Sequence, residues 1–211
     1  MITAQPRARW VTGAGLATAF TNAALAAFYA LFAYAHLNAF ARDPRPSLLL
    51  LVAMEALLAV FVIARAPAEA TSFSGYAWLT TLGGTLAPLV LRPVPGAYDL
   101  AAGQALQILG AVLALMGVLS LNRSFGLLPA HRRIRCRGMY RWVRHPLYSA
   151  YTILQAGYLL SNHSLANVLV LAAAFAFQVL RLLNEERFLS RYSEYAEYKL
   201  QTRWRLFPFV F

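Results

Sequence analysis

Two short stretches hold most of the residues able to do chemistry. The first, Arg144-His145-Pro146-Leu147-Tyr148, lies where a polar loop runs into an apolar segment. Pro146 suits the first helical position, which needs no N–H donor. It also pushes the residue before it, His145, out of the helical region and toward the cap. The free N–H groups and positive dipole end of such a helix favour an anion nearby. The second stretch is Arg181, Glu185 and Glu186, followed by Arg187, Tyr192, Tyr195, Tyr198, Arg203 and Arg205. Arg181 and Glu185 are four apart and share a helix face, but an exposed pair in this basic-then-acidic order is worth only a few tenths of a kcal/mol. A doubled carboxylate beside an apolar segment is costly unless it is paired or used. On the residues alone two readings stay open for each stretch: helix cap and lipid-phosphate grip, or ligand pocket; ion pair, or working carboxylate.

The elements that must position these groups are apolar. Of 211 residues, 60% are hydrophobic and 13% charged, where soluble chains run at about 45–50% and about 25%. A soluble domain of this size cannot hide so much apolar surface, which excludes an ordinary cytosolic enzyme and a disordered chain. A membrane-spanning helix needs roughly 20 mostly apolar residues. Segments 11–41, 47–64, 73–91 and 100–121 read as four spans, and 147–161 with 165–183 as a closing hairpin turning at Asn162-His163-Ser164. The first lacks a small-residue cleavage site and reads as an anchor. Turn signals separate the segments at Asp43-Pro44-Arg45-Pro46, Ala66-Pro67 and Arg92-Pro93-Val94-Pro95-Gly96. The expected fold is therefore all-α, a polytopic bundle of about six membrane segments. Residues 1–99 form the anchor, and residues 100–211 carry the chemistry within the same continuous bundle.

Of nineteen Lys and Arg residues, only Arg42, Arg45 and Arg92 fall on one side of this layout. The bias puts both termini, Arg7, Arg9, Arg65 and the 123–144 loop in the cytoplasm. The net charge of +11 then serves topology and anionic lipid heads, with no module for nucleic acid. Cys136 is the lone cysteine; its basic neighbours would lower its pKa, but no base partner is evident. The four His residues show no metal spacing. Gly110 and Gly117 suit helix packing. Glu55, the one acid inside a span, reads as a helix–helix hydrogen bond or as part of the lining of a tunnel. His36 and His163 read as interfacial, and 188–198 as an interfacial helix.

Gly138-x-Tyr140, Arg144-His145-Pro146-x-Tyr148, Arg181-x-x-x-Glu185-Glu186, Tyr195-x-x-Tyr198 and Arg205-Leu-Phe-Pro208 follow in that order. The set resembles the isoprenylcysteine carboxyl methyltransferase family and its phospholipid-methyltransferase relatives over roughly residues 100–211. The resemblance implies a cytosolic pocket for S-adenosylmethionine, closed by the polar loop and the C-terminal segment. It implies that Tyr140, His145, Pro146, Leu147, Tyr148 and Glu185 contact the cofactor, with further contacts from Arg132, Arg133, Ile134 and Arg135. At Arg132 the eukaryotic carboxyl methyltransferases carry a histidine. It also implies that Arg181 holds an acceptor carboxylate, with Arg205 as a second acceptor contact and Arg203 its competitor. Arg181 and Glu185 would form the catalytic pair.

Methyl transfer from a sulfonium is an in-line displacement, in which the protein orients the partners and excludes water. A carboxylate acceptor needs no base but does need a cation, which Arg181 could supply with a bidentate fork. A phenol or amine must lose a proton, for which Glu185, Glu186 and His145 are candidates. The expectation is an S-adenosylmethionine-dependent methyltransferase acting on a small lipophilic or lipid-tailed acceptor. Carboxyl O-methylation of an isoprenylcysteine-like substrate comes first, with phospholipid N-, thiol S- and lipid-phenol O-methylation as alternatives. The competing classes are a membrane scaffold or transporter subunit and a sterol-type NADPH reductase. A composition rich in Ala and Arg and almost free of Lys points to a bacterial inner membrane.

Overall fold

The structure is a computed structural model that describes residues 13–44, 46–64, 68–92, 94, 100–132 and 134–211. Arg7, Arg9, Arg45, Arg65, Arg133 and the turn signals at Ala66-Pro67 and Pro95-Gly96 lie outside the described residues.

Long apolar runs have one way to satisfy their backbone in lipid, which is to coil. Seven α-helices result among the described residues: α1 (Gly13–Arg42), α2 (Pro46–Ile63), α3 (Gly75–Leu86), α4 (Ala101–Leu121), α5 (Pro146–Ser161), α6 (Leu165–Leu189) and α7 (Ser193–Gln201). Three segments, Ala19–Arg42, Ala101–Leu121 and Leu165–Leu189, are long and apolar enough to cross a membrane; Leu48–Ile63 is a shorter apolar helix. The expected third span is α-helical only to Leu86 and continues as a 3-10 turn over Ala87–Val90. Pro88 accounts for the break, because it has no N–H to extend the α-helical ladder. α5, at 16 residues, is about 24 Å long, short of the roughly 30 Å hydrocarbon core.

Helix ends meet on two sides, as the alternating layout requires. On one side a two-stranded antiparallel ladder joins β1 (Ala70–Thr71), which follows α2, to β2 (Ala130–His131), which follows α4. On the other, the Asn167 side chain accepts from the Arg92 N–H (3.1 Å) and donates to the Arg92 carbonyl (2.8 Å). There Asn162 also accepts from the Val94 N–H (3.2 Å). Ser164 caps α6 by accepting from the Asn167 N–H.

The core joins Met54, Leu58 and Val62 of α2 to Ala114 and Val118 of α4 and Leu147 and Ala150 of α5. α4 and α5 approach closely enough that a Cβ on Gly110 would stand 2.5 Å from the Leu154 nitrogen, and one on Gly157 2.6 Å from the Gly103 carbonyl. The Gly110 and Gly117 spacing thus serves packing, as expected. The outer faces of α1 and α3 present Phe20, Leu31, Leu79 and Leu82 outward, the usual lipid-facing surface.

The tail departs from the single interfacial helix expected over 188–198. α6 runs on to Leu189 and stops at Ser190, whose hydroxyl donates to the Glu186 carbonyl (2.6 Å). After this turn α7 folds back with Tyr195 and Tyr198 buried.

Candidate active site

The site is built where the loop before α5 meets the end of α6 and the C-terminal segment. His145 takes the N-cap position of α5 with an extended φ of −130°, and Pro146 opens the helix. The cap is held from outside the helix: the N–H groups of Arg144 and His145 donate to the carbonyls of Trp204 and Arg205, both at 2.9 Å. The Ser149 hydroxyl donates to the Leu206 carbonyl. Leu206 in turn packs with Tyr148 and Leu182. The closing segment is thus stitched to the His-Pro element by backbone bonds that depend on shape more than on residue type.

Glu185 and Glu186 divide the labour. Glu186 faces the stitched side and meets two arginines and a histidine: Arg144 Nε at 2.8 Å, Arg205 Nε at 2.9 Å and His145 Nε2 at 3.3 Å. Glu185 faces the other way. It accepts from the Tyr148 hydroxyl at 2.7 Å and lies 3.3 Å from Arg181 Nε and 3.8 Å from His145 Nδ1. Arg181 also donates to the Leu127 carbonyl at 2.6 Å, reaches Thr85 Oγ1 at 3.5 Å and sits 5.4 Å over the Tyr148 ring. Two of its guanidinium nitrogens thus donate to the protein, and Nε faces Glu185 as an ion pair without a hydrogen bond.

Tyrosines form the opposite wall. Gly138 begins the 3-10 turn Gly138–Arg141 at φ +64°, where a side chain would also strike Ser120; this is glycine's conformation. The turn buries Tyr140 against Tyr195 and Tyr198. The Tyr198 hydroxyl donates to the Tyr140 carbonyl at 2.6 Å. Burial holds the phenols of Tyr140, Tyr195 and Tyr198 above their ordinary pKa, with neighbouring phenols and carboxylates adding to the shift. These side chains are neutral hydrogen-bonding groups at physiological pH. α7 is pinned to β2 by Tyr192, which stacks on His131 at 3.7 Å, while His131 Nδ1 meets Glu69 at 2.8 Å.

One cavity of about 670 Å3 links the two walls and runs on between the apolar helices. Of the residues expected at the site, Arg132, Ile134, Arg135, Tyr140, His145, Leu147, Tyr148, Arg181 and Glu185 line it. Arg135 is also held by Ser124 at 3.2 Å. Pro146 is buried at the helix start and is not among the lining residues. Arg205 is not among them either; it is taken up by Glu186 and lies 4.9 Å over the Phe211 ring. The lining includes Arg144, Tyr195 and Tyr198, which the motif comparison quoted without giving them a role. Their signal was present as motif members, but their orientation depends on a turn that no spacing encodes. Cys136 is exposed; partial desolvation and then the Glu194 carboxylate push its thiol up, against the lowering expected from the flanking arginines.

Residues 98–195 match the family model described as phospholipid methyltransferase. The match covers a little under half of the chain, and this segment is similar to that family. No curated protein and no solved structure matches the chain. The matched region begins just before α4 and ends within α7, so it contains both glutamates, the His-Pro element and the Gly-x-Tyr turn. The match and the three long apolar helices together suggest an integral membrane protein with a methyltransferase-like region.

Proposed function

We propose that the protein transfers a methyl group from S-adenosylmethionine to a lipid-tailed acceptor, at a chamber on the cytoplasmic face of a bacterial inner membrane. Residues 1–99 serve as anchor and residues 100–211 as the catalytic half. One observation carries the reading. The Tyr148–Glu185 hydrogen bond, the His145 cap and the tyrosine wall line a polar recess that opens without interruption into a space between apolar helices.

The recess suits the cofactor chemically. Glu185 offers a carboxylate to donor groups and to a sulfonium charge. Arg132, Arg144 and His145 offer cationic or donor groups to a carboxylate. The buried Tyr195 hydroxyl has no hydrogen-bond partner among the described residues, and an unmade bond of this kind costs about 1–3 kcal/mol, which a bound nucleoside would relieve. When bound, the cofactor supplies an activated methyl on a positively charged sulfur that leaves as a neutral thioether. The chain's own work is to orient and to exclude water. The stitched C-terminal segment closes the recess, and Arg181 holds Glu185 and the Tyr148 ring in place.

Of the carboxylate, amine, thiol and phenol head groups, the site bears most directly on the first two. An isoprenylcysteine-like carboxylate would have to displace the Leu127 carbonyl and Thr85 from Arg181. A phospholipid amine needs no such exchange, and Glu185 or His145 lies at hand to take its proton. The family description and the engaged guanidinium favour the amine.

The test is saturable binding of S-adenosylmethionine by purified protein in detergent, lost in Glu185→Ala and His145→Ala. Radiolabelled methyl transfer to a panel of lipid-like acceptors follows, and base-labile product reveals esters. Absence of cofactor binding returns the scaffold class, and binding of NADPH in its place returns the reductase.

A further inference from the structure

Past the polar recess the cavity enters the bilayer between α1, α2, α5 and α6, where its walls are mostly apolar. Two polar features interrupt them. Glu55 of α2 is 6% exposed and pairs with His36 of α1 through one carboxylate oxygen, Nδ1 to Oε2 at 2.9 Å. Its other oxygen makes no hydrogen bond among the described residues, and both side chains line the cavity. Independently, Gln178 of α6 lines the same cavity, is 4% exposed, and its amide oxygen has no partner among the described residues.

Their depth follows from helix geometry. Gln178 lies three residues, close to one turn, from Arg181 on the face that packs against α3. Tyr151 lies one such step from Tyr148 on α5 and lines the same cavity as Glu55 and Arg181. Glu55 and Gln178 thus stand beyond the recess, on the side where an acceptor's body would lie.

A saturated chain filling this space would leave a carboxylate and an amide against hydrocarbon, an arrangement that is strongly disfavoured. Both free groups are hydrogen-bond acceptors, so the matching occupant is a donor. We propose that Glu55, held by His36, and Gln178 form a second polar subsite, at which a hydroxyl on the body of the lipophilic acceptor donates its hydrogen to the Glu55 carboxylate beside the Gln178 amide. The inference rests on the methyltransferase reading above and deepens it. The acceptor is then an oxygenated lipid with two polar points, one at the recess and one within the bilayer. The subsite draws on α1 and α2, outside the region that matches the family, so it selects among acceptors and leaves the cofactor chemistry untouched.

The test uses the full chain in lipid nanodiscs, with hexadecan-1-ol and a series of hexadecane diols whose second hydroxyl steps along the first half of the chain. At the matching position the diol binds about tenfold tighter than the mono-ol, equivalent to roughly 1.4 kcal/mol. Glu55→Leu brings the two within about twofold. Gln178→Leu, which removes the second feature from a different helix, narrows the gap as well and covers the case of a misfolded Glu55 variant. Equal binding of mono-ol and diols, no binding of either, or a preference that survives both substitutions overturns the subsite. S-adenosylmethionine affinity is measured on the same samples. Affinity present with no diol preference sinks the subsite alone, while a diol preference without cofactor affinity sinks the methyltransferase reading alone.

Discussion

Replacing Glu186 by Gln removes one charge and almost no volume from the place where three chain segments meet. Glu186 lies on α6, Arg144 on the loop before α5, and Arg205 on the closing segment. The side chains of Glu186 and Arg144 are 9% and 8% exposed, and that of Arg205 is 35% exposed. Breaking a buried pair by removing one partner costs about 3–5 kcal/mol, because the other charge is left uncompensated. The half-exposed Arg205 adds little, since exposed pairs are worth about 0–1 kcal/mol. Gln keeps one acceptor oxygen, so the lower end applies, and the expected loss is about 3 kcal/mol. For a chain of this length each kcal/mol moves the melting temperature by about 2–4 °C, which gives a drop of about 6–12 °C. Thermal unfolding in detergent, followed by tryptophan fluorescence, measures it; Trp142 and Trp204 flank the affected contacts. The backbone bonds from Arg144 and His145 to residues 204 and 205 do not depend on the carboxylate, so the variant still folds. A shift under about 2 °C would show that Glu186 is solvated in place and that the closing segment is held by its backbone bonds alone.

Three further outcomes follow from the same contacts. Arg181→Ala releases Glu185 and the Tyr148 ring, so it weakens S-adenosylmethionine affinity together with turnover; affinity left unchanged, read by calorimetry, refutes that positioning role. Gly157→Ala drives a methyl into the Gly103 carbonyl and the Gln107 nitrogen; overpacking of this kind costs about 1–3 kcal/mol, and unchanged thermal stability would contradict the close α4–α5 approach. The phenols of Tyr140, Tyr195 and Tyr198 have folded-state pKa values raised above the unfolded value of 10.0. Their contribution to stability is therefore complete below that pH and is lost as pH rises toward the folded values. A spectrophotometric titration should show these three ionising only with alkaline unfolding, and their ionisation in the native protein near pH 10 would count against the buried wall.

Some of this was legible along the chain because the cause is local. Pro146 and His145 announce a helix start through their own backbone preferences, and the structure puts that start there. Uncharged apolar runs have to coil in lipid, so α1, α2, α4 and α6 were visible as segments. The ordered motifs named the family that the matched region bears out. Glycine spacing on α4 foretold close packing, although the partner residues on α5 could not be named from it.

What remained hidden depended on residues far apart in sequence. Glu185 and Glu186 are adjacent and chemically alike, yet one turns to Tyr148 and Arg181 and the other to Arg144 and Arg205. A step of one residue rotates about 100° around a helix, so the neighbours packed on each side decide the role. Arg205 carried a motif match but is spent on Glu186, and Arg181 met a carbonyl at Leu127 that no side-chain pattern records. The sequence by itself determined that the chain is helical with long apolar segments, because hydropathy and helix caps act over a few residues, and its ordered motifs carried the resemblance to membrane methyltransferases. Tertiary structure alone decided which charges are spent on one another and which still face the chamber, because pairing depends on distances in space that linear spacing does not encode.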